Sequence, residues 1–382
     1  MVDTVLILNA GSSSVKFQLF ACTEGLPRLA TGSVTNIGTG PVLKAEQDGT
    51  DSKIKVNLPP DETQKRAVRR ILDWVESLNA NWNIVGVAHR FVHGGPDFFK
   101  PTLLTSHVFH RLKELIPLAL LHQPHHLAAV GVITRTLPLV PQVACFDTAF
   151  HAHHEEKFMN YAVPQELTDK GVRRYGFHGL SYGWINQVLK KEYPDLAKGR
   201  VVVAHLGNGS SLCAIKNGLG IDTTMGMTVL DGLPMGTRTG SIDPGVVFYI
   251  IRELGMAPDE VEEIFYKKSG LKGLSGISND VKKLLESDSP RAKYALDYFA
   301  TYIAKNVASM AVSMGGIDGL VFTGGIGENA EPIRKAVLDY LAFMNIPRVL
   351  VIPTNEERYM AEQALDCLIA TGKYGYGARK VG

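Results

Sequence analysis

Three short turns rich in small residues carry the strongest chemical signal in this sequence: Gly11–Ser14, Gly207–Ser211 and Gly324–Asn329. Each follows a short apolar run that reads as a strand. Glycine lets a backbone approach a phosphate with no Cβ in the way. Successive N–H groups in such a turn make a concavity for anions. One turn of this kind is more often just a tight turn. Three in one chain, two of them in matching contexts, point to phosphate. No GxxxxGK[ST] sequence occurs, which excludes a Walker-type site. No complete GxGxxG follows a strand and opens a helix, so a Rossmann dinucleotide site is unsupported.

Positive groups stand in similar surroundings. Arg90 lies in HRFVHGG (89–95) and Arg238 in MGTRTGSIDPG (235–245), each a Gly-rich loop. A guanidinium fork suits carboxylate and phosphoryl oxygens. A solvated surface arginine is the alternative. Asp147 follows VACF and, taken alone, reads best as a turn cap. Lys16 reads as part of a solvated strand face, and a lone histidine such as His178 or His205 is more often structural.

Other patterns mislead. GLSYG (179–183) fits the GxSxG nucleophile elbow, but GVRRYGFH precedes it where an elbow needs a buried apolar strand. His151, His153 and His154, with His122, His125 and His126, lack HExxH spacing and a companion cysteine. They are expected to form a polar, partly exposed patch. The NGS sequon at 208–210 sits in a phosphate turn and is not expected to carry sugar.

The elements that must hold these groups follow from periodicity. TVLIL (4–8), the turn and VKFQLF (15–20) predict a hairpin, and RVVVAHLGNGSSLCAIKNG (200–218) predicts a second. Asn9 and His205 end the first strand of each, which reads as an internal duplication. A helix is predicted over 61–79, capped by Asp61, with Ala67, Ile71, Val75 and Leu78 on one stripe. IVGVAHRFVHGG (84–95) and PQVACFDTAFH (141–151) each predict a strand running into a loop, and GLVFTGG (319–325) and RVLVIP (348–353) predict further strands. A long helix over about 290–314 should bury Leu296, Phe299, Ile303, Val307, Met310 and Met314 and stop at Gly315-Gly316. Its methionines read as core filler. Strands followed by helices, twice over, predict an α/β fold of two domains with mixed sheets, and the cleft between them is the expected ligand site.

Composition agrees. At 382 residues the chain is too long for one ordinary core. It is 45% apolar and 20% charged, with a net charge of +2 and no basic stripe, which argues against a nucleic-acid partner. No apolar run approaches a membrane span or a signal peptide. Cys22, Cys145, Cys213 and Cys367 are far apart and never form CxxC, as in a reduced protein. The cytoplasm is the expected location.

The motifs narrow this further. NAGSSSVK (9–16), HRFVHGG (89–95), FDTAFH (146–151), YGFHGLSY (175–182), HLGNGSS (205–211), MGTRTGSIDPG (235–245), TGGIGEN (323–329) and PTNEE (353–357) resemble the acetate kinase family, in the family's order, over about residues 4–365. The resemblance implies two actin-like, ribonuclease H-like domains: 1–148 plus 357–382 on the acceptor side and 149–356 for the nucleotide. It implies reversible in-line transfer of the ATP γ-phosphoryl to acetate, giving acetyl phosphate and ADP. Propionate or another short-chain carboxylate is the alternative acceptor. It also implies Mg²⁺, with Mn²⁺ as a substitute, and a homodimer.

By the same resemblance, Arg90 and Arg238 act on the carboxylate and the transferring phosphoryl. Asp147 positions the reacting groups, and His178 stabilises the phosphoryl. Asn9 and Glu356 are the metal-site residues. Val92, Leu121, Phe177 and Val229 line a small apolar acceptor pocket. Ser12, Ser14, Lys16, His205, Leu206, Gly207, Asn208 and Gly209 serve the nucleotide phosphates. Asp280, Val281, Lys282, Gly325, Ile326, Gly327, Glu328 and Asn329 serve the adenosine, and His122 lies near the active site. Three residues depart from the family pattern: Gln123 stands for Asn, Lys282 for Arg and Val229 for Pro. An added methylene shifts pocket discrimination by only about 1–3 kcal/mol, so acetate is expected first and propionate tolerated. A chaperone-like ATP switch would need a peptide-binding domain, for which no sequence remains. A sugar kinase would need a base, a role open to Asp147, but paired arginines favour an anionic acceptor.

Overall fold

A computed structural model describes residues 1–78, 81–120 and 122–375. The chain divides into two compact units. One comprises Met1–Ala149 and the segment from Asn355 onward, the other Phe150–Thr354.

The first unit is built on an eight-stranded mixed sheet. Its strands are β1 (Val2–Ala10), β2 (Val15–Ala21), β3 (Arg28–Thr35), β4 (Val42–Gln47), β5 (Lys53–Asn57), β6 (Trp82–Phe91), β7 (Thr102–Leu103) and β8 (Gln142–Phe146), in the order β5-β4-β3-β2-β1-β6-β8-β7. Val15, Phe17 and Leu19 alternate inward on β2 and join Ala30, Val34, Leu43 and Ala45 in a core. Helices Gln64–Leu78 and Gln123–Thr136 cover that face with Ala67, Ile71, Val75, Ala129 and Ile133. The first of these helices starts later than expected. Thr63 Oγ1 accepts from Arg66 N, while the Asp61 carboxylate binds the Arg66 side chain at 3.0 Å instead of capping. The meander β3–β5 has no counterpart in the sequence reading, because its strands are short and largely polar.

Helix Glu356–Ala370 crosses the opposite face over β1, β6 and β8, burying Met360, Ala361, Ala364, Leu365 and Leu368. Gly86 makes that contact feasible, since a Cβ there would lie 2.5 Å from Leu368 Cδ1. Asn355 caps the helix through Arg358 N, so Glu356 belongs to the first unit.

The second unit holds β9 (Arg200–Leu206), β10 (Ser210–Lys216), β11 (Leu219–Thr223), β12 (Gly319–Thr323) and β13 (Val349–Val351), in the order β11-β10-β9-β12-β13. β11, β10 and β9 pair antiparallel, and β9, β12 and β13 parallel. The run β3-β2-β1-β6-β8 of the first unit has the same alternation of pairings. The duplication read from the hairpins therefore extends to the sheets. Helix Pro290–Met314 buries Phe299, Ile303, Val307, Met310 and Met314 in this core, with Leu296 at its margin, and ends at Gly315 in the left-handed region, φ +77°. Among the described residues no helix is long and apolar enough to cross a membrane.

Candidate active site

In the first unit, Arg90 is the penultimate residue of β6, and Asp147 follows the neighbouring β8. Their strand ends are adjacent, so the side chains meet. Arg90 Nε and Nη2 donate to the two Asp147 oxygens at 3.1 and 2.7 Å. Glu356 Oε2 lies 3.6 Å from Arg90 Nη1. Burial works against the Arg90 charge, but Asp147 and Glu356 outweigh it and hold the guanidinium pKa above its ordinary value. Asp147 takes the side-on edge of the fork, and Glu356 stands beside Nη1.

Asp147 is thus more than a turn cap, and with both oxygens on a guanidinium it is poorly placed to act as a base. Burial pushes the Glu356 carboxyl above the usual range, opposed by Arg90 and Lys16. Among the described residues no three His, Cys, Asp or Glu side chains cluster as metal ligands. Mg²⁺ does not require such a cage, because it keeps waters and takes phosphate oxygens beside one or two protein oxygens. Glu356, only loosely paired with Arg90, and the Asn9 amide at the end of β1 are oxygen donors of that kind.

Asn9 lies opposite Lys16 in the β1–β2 register. Gly11 N donates to Ser14 O at 2.8 Å, closing the turn and leaving Ser12 exposed. Val92 is buried beyond β6. Leu121 lies outside the described residues. His122 immediately precedes helix Gln123–Thr136, and Gln123 is fully buried. Its amide donates to His93 O and Leu112 O, both at 3.3 Å, tying the HRFVHGG loop to its support.

In the second unit the histidines are brought together. His178 has φ +57° and directly precedes helix Gly179–Glu192. Its ring stacks on His205, with centroids 4.3 Å apart and planes 25° apart. Nδ1 of His178 pairs with Ser211 Oγ at 2.8 Å, and Nδ1 of His205 with Ser181 Oγ at 2.9 Å. Ser181 in turn meets Thr354 Oγ1 at 2.9 Å, and Tyr182 pairs with Ser211. Ser181 is therefore a helix residue that holds a histidine. The sequence reading gave none of these hydroxyls a role, although all lie in its motifs, since only the fold aims them.

Arg238 is enclosed with weak partners. Nη1 donates to Val229 O at 3.2 Å and approaches Met235 Sδ at 3.7 Å. No carboxylate pairs with it among the described residues, and burial pulls its pKa below the ordinary value. A Cβ on Gly209 would stand 3.4 Å from both Arg238 Nη1 and His178 Nε2. The β9–β10 turn therefore runs directly beside a cation and an imidazole. Phe177 is buried and its carbonyl meets His151 Nε2 at 2.9 Å. Val229 is half-buried.

A cavity of about 440 Å³ adjoins the same turn, lined by Gly207, Asn208, Asp280, Lys282, Gly325 and Asn329 among others. It gathers three sequence-distant segments assigned to the nucleotide, including Val281 and Ile326. Asn279, missing from that assignment, donates to Asn208 Oδ1 at 2.9 Å. Three assigned residues act from behind. Leu206 is a core side chain of β9 and Gly327 is buried. Glu328 accepts from Gly324 N and Thr354 N at 2.9 and 3.0 Å, holding the turn. The segment Gly324–Asn329 is a short helix, not an open loop. The histidines expected as an exposed patch are split between the units. His126, His151 and His154 are buried, and burial lowers the pKa of each.

The Acetokinase family model matches residues 4–373. The acetate kinase of Nitrobacter hamburgensis is 42% identical over 399 residues, spanning 96% of this chain and 97% of that protein. That of Rhodopseudomonas palustris is 44% identical over 354 residues, spanning 91% and 88%. The solved propionate kinase of Francisella tularensis aligns with a TM-score of 0.90 at 37% identity, over 95% of this chain and 99% of that one. The Porphyromonas gingivalis acetate kinase gives 0.84 at 36%, over 96% and 100%. With fold, motifs and near full-length likeness in agreement, the chain belongs to the acetokinase family.

Proposed function

We propose that this chain catalyses reversible transfer of the ATP γ-phosphoryl group to acetate, forming acetyl phosphate and ADP. The observation that carries this reading is the line from the 440 Å³ cavity through Gly207–Gly209 to Arg238 and His178. Adenosine occupies the cavity, the phosphates follow the turn, and the terminal phosphoryl meets Arg238, which pairs with no carboxylate among the described residues.

An acetate acceptor has a pKa of about 4–5 and is ionised at pH 7, so no general base is needed. The barrier is repulsion between two anions, answered by fixed positive groups. Arg90 supplies one, oriented by Asp147. Arg238 and His178 supply others. Magnesium held through Asn9 and Glu356, with phosphate and water as its remaining ligands, would neutralise phosphate oxygens. Val92, Leu121, Phe177 and Val229 are the proposed apolar surroundings of the acyl chain. The likeness to a solved propionate kinase supports propionate as a competing acceptor.

Incubation with Mg-ATP and acetate, propionate, butyrate or glycerol, with hydroxylamine as trap, separates these readings. Acetohydroxamate is expected to form fastest. No hydroxamate from any acid would reject the proposal, and phosphorylation of glycerol alone would favour a hydroxyl kinase.

A homodimer in the cytoplasm is the proposed state. Helix Pro244–Arg252 buries none of its residues, although it reads PGVVFYIIR. Phe248, Tyr249 and nearby Leu254 are each more than half exposed. Such a patch calls for a partner surface, and a second copy is the simplest. Phe248→Glu should shift the sedimenting species to monomer; a wild-type monomer would reject the dimer.

A further inference from the structure

Strands β2–β5 set three lysines in one row. Lys16 lies opposite Ser33, Ser33 opposite Lys44 and Lys44 opposite Lys55. The next row on the same face runs Gln18, Thr31, Glu46, Lys53. Alternate residues such as Phe17, Leu43 and Ala45 point the other way into the core. The two rows line a cavity of about 390 Å³, with Glu357 also in its wall.

Folding does not account for this arrangement. Glu46 answers Lys53 at 3.2 Å. Lys16, Lys44 and Lys55 join no ion pair among the described residues. Lys44 and Lys55 face each other directly, and like charges directly opposite destabilise a sheet. Ser33 adds a hydroxyl between Lys16 and Lys44, and Gln18 an amide in the adjoining row.

With strands about 4.8 Å apart, the row spans roughly 10 Å from Lys16 to Lys44 and roughly 14 Å to Lys55. That length suits a chain of anionic groups better than one ion. Lysine ammonium groups bind phosphate as compact point charges, and they are the only cations among the described residues lining the cavity.

We propose that this face binds a linear oligophosphate laid across β2–β5, with its phosphoryl groups on Lys16, Lys44 and Lys55. The site goes beyond the phosphoryl-transfer reading, because Lys44 and Lys55 belong to neither the nucleotide nor the acceptor groups. The row starts beside Asn9, so an anion held there lies next to the β1–β2 turn.

Inorganic tripolyphosphate is the probe, titrated calorimetrically into the full chain at two salt concentrations. Lys44→Ala/Lys55→Ala should weaken its binding about tenfold or more per lysine and flatten the salt dependence. ADP affinity and turnover with acetate should stay unchanged, which also reports that the variant is folded. Lys44→Gln alone should give part of the loss. Equal affinity for tripolyphosphate in wild type and double variant, or no binding to wild type, overturns the proposal.

Discussion

Arg90 holds Asp147 through two parallel hydrogen bonds, Nε to Oδ1 at 3.1 Å and Nη2 to Oδ2 at 2.7 Å. The carboxylate orients the fork and the fork provides the charge. Arg90→Ala should lower kcat about 10²–10³-fold, as for loss of an oriented transition-state donor. Arg90→Lys should recover little, because one ammonium cannot span both oxygens. Asp147→Asn should lower kcat and cost about 3 kcal/mol of stability by leaving a mostly buried cation with a weaker partner. Near-normal turnover in Arg90→Ala, measured by the hydroxamate assay, would remove Arg90 from the mechanism.

Arg238 is the opposite case, a guanidinium enclosed with a carbonyl and a thioether. Its desolvation is only partly compensated by these contacts, which fits the proposed role toward an incoming anion. Arg238→Met should lower kcat about 10²–10³-fold without lowering the urea midpoint. A large drop in that midpoint would make the residue structural.

Gly209 has no side chain where its turn passes Arg238 and His178. A methyl group would fit at ordinary contact distance, 3.4 Å, but would take the space proposed for phosphate oxygens. Gly209→Ala should keep its thermal midpoint and raise KM for ATP about tenfold, as one charge-assisted contact is lost. An unchanged KM would place the phosphates elsewhere.

Buried histidines give the protein an acid limit. His89 and His151, one in each unit, are pushed by burial to about 4 from 6.5. Both are neutral when folded, while the unfolded chain takes up protons below pH 6.5. Their stabilising effect is therefore complete above pH 6.5 and is lost as pH falls toward 4. At pH 5 the loss is about 2 kcal/mol per histidine. Denaturation of His89→Gln at pH 7 and pH 5 should show a smaller difference than wild type. An equal difference would mean that His89 does not set the limit.

Local order in the sequence determined a good deal. The hairpins at Asn9 and His205, the helix ending at Gly315 and the strand before Gly324 were legible because periodicity and glycine placement act over a few residues. The residue types of the site were legible too, through motif words such as HRFVHGG and HLGNGSS. Tertiary structure alone decided which groups meet. Arg90 reaches Asp147 because β6 and β8 are neighbours in the sheet, 57 residues apart in sequence. Ser181 and Ser211 hold stacked histidines, Glu328 turns inward to support Thr354, and three lysines fall into one row only once strand register is set. A hydrogen bond depends on distances of a few tenths of an ångström, and sequence spacing carries no such information between segments far apart along the chain.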